Sequence, residues 1–201
     1  MAGSKAAQES APSRERIVAG AADLISRRGL NAASIRELAK HAKAPLGSTY
    51  HYFPDGKRQV ATEAVEWAGG RVAHLLGERL EAGPVEGLRA FLDLWRGVVV
   101  KSDFRAGCPV LAVAVEEPSG EDRPPELVAA AEAFAAWQGL LADSLRAYGT
   151  GSEEAADLAA LVVASVEGAV AMCRAARSAE PLDRVARRLE PLLAGAVEPA
   201  A

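Results

Sequence analysis

Cysteine is almost missing from this chain, and aromatics are scarce: 201 residues hold two Cys, three Trp, three Tyr and four Phe. Cys108 and Cys173 stand far apart, with neither CxxC nor Cys/His spacing, which argues against a zinc site and against a disulfide framework. Both read as buried small hydrophobes. Strand signals are nearly absent. There is no GxSxG elbow and no glycine-rich phosphate loop, and His41, His51 and His74 are scattered through helical patterns with no nucleophile motif. An enzyme is therefore not expected, and no cofactor or metal is called for. The longest nearly apolar run, Leu158 to Cys173, is broken by Ser165 and Glu167. It falls short of the roughly 20 residues that a membrane span needs, so no membrane partner is expected. The opening "MAGSKAAQESAPS" lacks the apolar stretch of a secretion signal, and the expectation is a cytoplasmic protein.

Half of the residues are apolar, enough for a core without staples. The charge is unevenly spread: residues 1–60 carry ten Lys/Arg against five Asp/Glu, and the rest of the chain carries 13 against 22. A basic head suits a polyanionic partner, although a solvated basic face with no partner has the same charge.

Ala-rich segments with helical apolar spacing alternate with short Gly/Pro breaks, which predicts an all-α chain of about nine helices. Residues 1–12 are expected to be a disordered tail. A first helix over 13–28 puts Ile17, Ala21, Leu24 and Ile25 on one face and ends in two arginines before Gly29. A second begins at a Ser34/Glu37 capping box and puts Ile35, Leu38 and Ala39 on one side. A long helix over 56–80 carries Val60, Ala64, Trp67, Val72 and Leu75, with Gly69-Gly70 as a bend or tight crossing. Further helices are expected at 85–102, shortly after Pro109, and at 125–148, 152–178 and 181–195. "EEPSGEDRPPE", 116–126, is the clearest loop.

The stretch "SIRELAKHAKAPLGSTYHYF", 34–53, reads as two short helices joined by a turn near Ala42-Lys43-Ala44, with Pro45 at the start of the second. That is a helix-turn-helix, whose second helix can lie in a major groove. Gly47 and Ser48 leave room for a phosphate backbone. Ser48, Thr49, Tyr50 and His51 supply donors, Lys57 adds a phosphate contact, and Phe53 is expected to plug the three-helix core. The alternative is a helical corner with aromatic packing.

"SIRELA" at 34–39, "STYHYF" at 48–53 and "PDGK" at 54–57 follow one another at the distances seen in the TetR family of bacterial transcriptional regulators, which this chain resembles. The extra Gly56, "GCPV" at 107–110 and "SVEGAV" at 165–170 are similar to its LmrA/YxaF-like branch. The resemblance implies a DNA-binding head over 13–56 and a ligand-binding and dimerisation body over 57–201. It implies a homodimer on a near-palindromic double-stranded operator, repression as the tendency, release by a small hydrophobic effector, and efflux genes as targets. Ser34, Arg36, Lys43, Pro45, Gly47, Ser48, Thr49, Tyr50, His51 and Lys57 are the candidate DNA-binding residues. Lys43 stands where the turn commonly has Gly, predicting strain at a positive φ, and Leu46 stands where the branch often has Lys.

In the body, small residues Ala159, Ala160, Ala164, Gly168 and Ala171 are interleaved with Leu158, Leu161, Val162 and Val166, and the last helix adds Leu182, Val185, Leu189 and Leu192. These stripes suit either a four-helix interface between two copies or the chain's own core. Phe91, Trp95, Phe104, Cys108, Val113, Phe134 and Trp137 are candidates for an apolar effector pocket, with core packing as the plain reading of each. Glu167 sits in an apolar stretch, where a buried carboxylate needs a partner. An effector, Arg174 or Arg177, or solvent are its options. A helical adaptor binding only protein or lipid is the competing reading of the whole chain; salt-dependent DNA binding separates the two.

Overall fold

The computed structural model describes residues 3–117 and 123–197, with side chains from Arg14 onward in that range. Among the described residues it is all-α: α1 (Gly3–Arg28), α2 (Ile35–His41), α3 (Leu46–Tyr52), α4 (Lys57–Leu80), α5 (Pro84–Lys101), α6 (Pro109–Ala114), α7 (Pro125–Ala147), α8 (Ser152–Ala176) and α9 (Glu180–Ala196). Most boundaries fall within two residues of those expected from caps and breakers. The exception is α1, which begins at Gly3 where a disordered tail was expected. Ala6, Ala7, Gln8 and Glu9 are good helix formers, and extending a helix already seeded by a packed turn avoids the cost of nucleation. Residues 1 and 2, and 118–122 of the expected loop, lie outside the described residues.

Two compact units divide the chain: residues 1–69 with 109–131, and residues 70–108 with 132–201. The division crosses α4 between Gly69 and Gly70, through which the helix runs unbroken.

In the first unit, α1 packs on α2, α3 and α6. Ile17, Ala21, Leu24 and Ile25 are all buried, as their spacing predicts, together with Leu38 and Ala39 of α2 and Val60 and Ala64 of α4. Gly20 lets the α2–α3 turn approach α1, because a Cβ there would lie 2.8 Å from the Cβ of Ala42. Asp23 of α1 accepts hydrogen bonds from Arg27 Nε at 2.8 Å and His41 Nε2 at 2.6 Å, tying α1 to the end of α2. Partial burial alone would raise the Asp23 pKa. The bonds from Arg27 and His41 outweigh it and hold the carboxyl below its ordinary value.

In the second unit, α5, α8 and α9 pack on one another. Arg89 of α5 reaches Glu190 at 3.1 Å and Arg96 reaches Asp183 at 3.1 Å, both pairs at the surface and worth little individually. α8 is long and apolar enough, by length and composition, to cross a membrane, contrary to the sequence expectation, and half of its most apolar window is buried within the fold. Its structure explains that composition. Leu158, Ala159, Val162, Val163, Val166 and Val170 face the core of the unit, while Ala160, Leu161, Ala164, Gly168, Ala171 and Met172 line an opposite, exposed face. A helix apolar on both faces needs a second surface to bury the outer one.

Candidate nucleic-acid interface and regulatory core

α2 starts at a full capping box: the Ser34 hydroxyl accepts from the Glu37 N–H at 3.2 Å, and Glu37 Oε2 accepts from the Ser34 N–H at 2.9 Å. Ser34, exposed, is thereby committed to the helix start. Glu37 is held below its ordinary pKa first by the Ser34 N–H and then by its hydroxyl. The turn that follows closes with the N–H of Lys43 on Lys40 O at 3.1 Å and that of Ala44 on Ala39 O at 2.9 Å.

Lys43 does adopt a positive φ, +52°. Left-handed backbone is costly for a residue with a Cβ, and lysine offers no local compensation. Lys43→Gly is expected to raise stability by about 0.5 kcal/mol, relief of strain being partly offset by the greater freedom of glycine when unfolded. Urea unfolding of the two proteins measures it, and a DNA titration of the same pair against salt shows whether a phosphate contact leaves with the lysine.

α3 follows Pro45, which occupies the N-cap position one residue ahead of the helix rather than its first turn. The seven-residue helix presents two faces. Gly47, Tyr50 and His51, at i, i+3 and i+4, are exposed, Tyr50 by 52%, and Ser48 is half-buried beside them. Thr49 and Phe53 form the opposite face and are fully buried. Thr49 is therefore corrected from a base-reading residue to a core residue: its hydroxyl donates back to Pro45 O at 3.2 Å, four residues earlier. That bond lets a small polar side chain sit in the apolar interior without an unmet donor. Phe53 is the plug that the sequence suggested, with the Arg14 guanidinium 5.1 Å from its ring centroid. Arg36, Lys43 and Pro45 are exposed and Lys57 is half-buried at the start of α4. Lys40, exposed in the last turn of α2, is a further cation in the same motif that sequence reasoning passed over.

In the second unit, four of the pocket candidates gather. Phe91 meets Trp95 and Trp137 at centroid distances of 6.2 and 5.9 Å, and Phe134 meets Trp137 edge-on at 5.4 Å. Such tilted pairs fill the space between helices as core rings do. The described ring contacts do not include Phe104, half-buried in a turn where its own φ is +57°. Val113 is buried within the first unit. Glu167 is 3% exposed, on the inner face of α8 with Val163 and Val170 a turn to either side. Neither of its oxygens has a hydrogen-bond partner of ordinary geometry among the described residues. Burial pushes its pKa up to about 8, and the neighbouring Cys108 thiol offsets only part of that. The arginines considered as partners are engaged elsewhere: Arg177 with Asp103 at 2.9 Å and Arg174 with the carbonyl of Arg105 at 3.3 Å. The Trp95 indole N–H is likewise buried with no hydrogen-bond partner among the described residues.

A capped helix, a tight turn and a second short helix with one exposed polar face, packed on α1, define a helix-turn-helix DNA-binding protein. The comparisons make that class specific. The bacterial regulatory protein model of the tetR family matches residues 17–64, and the C-terminal domain of LmrA/YxaF-like transcriptional regulators matches residues 84–188. A Mycobacterium tuberculosis HTH-type transcriptional regulator, named as uncharacterized, is 42% identical over 183 residues, which cover 90% of this chain and 93% of the relative. The HTH-type transcriptional regulator LmrA of Bacillus subtilis is 29% identical over 183 residues, covering 90% and 96%. Among solved structures, a TetR regulatory protein from Rhodobacter sphaeroides shares the fold, with a TM-score of 0.78 at 21% identity, covering 89% of this chain and 97% of its own. The chain belongs to the TetR family of transcriptional regulators, in its LmrA/YxaF-like branch. It is a DNA-binding regulator and not an enzyme.

Proposed function

We propose that the protein is a cytoplasmic, homodimeric repressor that leaves its operator when a small hydrophobic effector binds the second unit. The observation that carries the ligand-responsive part is Glu167, a buried carboxyl whose burial the neighbouring Cys108 thiol offsets only in part, in the unit that holds the aromatic cluster. A buried polar group of this kind costs free energy until something bonds to it, which favours a ligand with a polar group on an aromatic frame. The exposed apolar face of α8, with Leu161 and Met172, and Leu192 on α9 support dimerisation through these helices. Two heads then address half-sites about 34–36 Å apart, or a multiple of that. Arg36, Lys43, Gly47, Ser48, Tyr50, His51 and Lys57 are assigned to the DNA. An effector releases the operator only by preferring a head spacing that the operator does not accept.

The test is fluorescence anisotropy of the protein on the DNA flanking its own gene, with scrambled DNA as control, at several salt concentrations and then against a panel of aromatic compounds. Selective binding that weakens with salt and is released by a panel member is the expected result. Lys57→Ala should lower the salt slope by about one, and Tyr50→Ala should reduce discrimination between the two DNAs with little change of slope. Binding that is equal on both DNAs, or release that Glu167→Leu leaves unchanged, counts against the corresponding assignment.

A further inference from the structure

Between α1 and α2 the chain turns through Gly29 to Ala33, and an acidic side chain from far along the sequence holds that turn. Glu116 lies two residues beyond α6, within the stretch matched by the family's C-terminal domain. Its Oε1 accepts the Leu30 N–H at 2.7 Å and its Oε2 accepts the Asn31 N–H at 2.7 Å. A third bond runs beside them, from Asn31 Nδ2 to the Glu117 carbonyl at 3.3 Å. The fit is close. Gly29 takes φ +78°, and a Cβ built on it would stand 1.9 Å from Glu116 Oε1, so the turn requires glycine for its backbone and for the carboxylate. Leu30, buried, in turn accepts the Ala33 N–H at 3.0 Å, and the next residue is the Ser34 cap of α2.

The two clamped amides thus set where α2 begins, and α3 is hung from α2 by the four residues 42–45. We propose that Glu116 is a positioning residue for DNA recognition: a carboxylate clamp, carried by the regulatory part of the sequence, that fixes the entry to the helix-turn-helix. It touches no DNA. Charge-assisted bonds of this length are among the stronger hydrogen bonds, and glutamine cannot replace them, since its amide offers one acceptor and turns a donor toward the second N–H. The inference goes beyond the repressor reading, because it concerns how the helix-turn-helix is held and stands whatever the effector is.

The sign of the effect separates positioning from simple electrostatics. Removing a negative charge from a DNA-binding head should strengthen binding to a polyanion. Opening the clamp should instead weaken it. The probe is a duplex recovered from a random-sequence pool by selection on the wild-type protein. Glu116→Gln is expected to bind it about tenfold more weakly with the salt slope unchanged, since no phosphate contact is lost. Gly29→Ala, which drives a methyl into the clamp without altering charge, should do the same. Glu117→Gln should bind as wild type or slightly tighter. Hydrogen exchange at Leu30 and Asn31 should accelerate in the first two variants. By reciprocity, binding of the duplex to the wild-type protein should slow exchange at those two amides, a measurement that survives even if a variant fails to fold. Unchanged or tighter binding by folded Glu116→Gln, or exchange at Leu30 and Asn31 that the duplex leaves alone, would overturn the proposal.

Discussion

Phe53→Ala is expected to destabilise the DNA-binding head by about 3–5 kcal/mol, and to abolish operator binding at temperatures where the wild-type protein is fully active. The ring is fully buried at the end of α3, meets Tyr52 edge-on at a centroid distance of 6.5 Å and lies under the Arg14 guanidinium. Its truncation opens a void that the neighbouring helices cannot close, because α2 and α3 are seven residues each and their caps and turn fix where they lie. A domain's whole stability is about 5–15 kcal/mol, so the loss takes a large share. Phe53→Leu keeps most of the volume and should lose only about 1–1.5 kcal/mol, retaining sequence-selective binding. Urea unfolding followed by circular dichroism, with the anisotropy titration run on the same samples, measures both. A Phe53→Ala protein as stable as the Phe53→Leu variant would mean that the ring is not the plug of this core.

That the plug could be named from the sequence, while Thr49 beside it was misassigned, reflects how much phase information a short helix carries. α1 spans several turns, and its apolar residues repeat often enough to fix the buried face, hence Ile17, Ala21, Leu24 and Ile25. α3 has two turns and mixed polarity, so a hydroxyl that bonds back to Pro45 is indistinguishable in sequence from one that faces DNA. In α4, of the adjacent leucines, Leu75 is half-buried and Leu76 is the buried one. Local chemistry was legible wherever it is self-contained. The Ser34/Glu37 box, the Gly29 terminus and the strained Lys43 each involve groups within four residues, and each was found. Glu116 was not, because its partners lie 85 and 86 residues away and nothing near it marks a carboxylate as a clamp. α8 stood between these cases. Its composition showed an apolar helix, but only the fold divides the residues that fill the core, such as Val162 and Val166, from those such as Leu161 and Ala164 left on the outside.

Glu167 is expected to make the protein lose stability as the medium becomes alkaline, and Glu167→Gln should remove that dependence. The carboxyl has an ordinary pKa of 4.5 when unfolded and about 8 when folded, burial being the larger cause. Between those values the folded state holds a proton that the unfolded state has released, so stability falls as pH rises at about 1.4 kcal/mol per pH unit. The contribution is whole below pH 4.5, is lost progressively through the interval, and is gone above pH 8. The full difference is about 4–5 kcal/mol, comparable with the Phe53 truncation. Other groups titrate as well, so the quantity to measure is the stability of wild type minus that of Glu167→Gln, followed by urea unfolding from pH 5 to pH 8.5. It should decline steadily with pH, and the glutamine protein should be the more stable of the two at the alkaline end. A difference independent of pH would mean that Glu167 is ionised in the folded state, with a partner that satisfies it. An effector that bonds to this carboxyl must alter the same titration: one that donates to the ionised form lowers its pKa and binds more tightly at high pH, and one that accepts from the protonated form does the reverse. Under the proposed ligand-responsive role, the pH dependence of operator release would tell which kind of polar group a releasing ligand brings to Glu167.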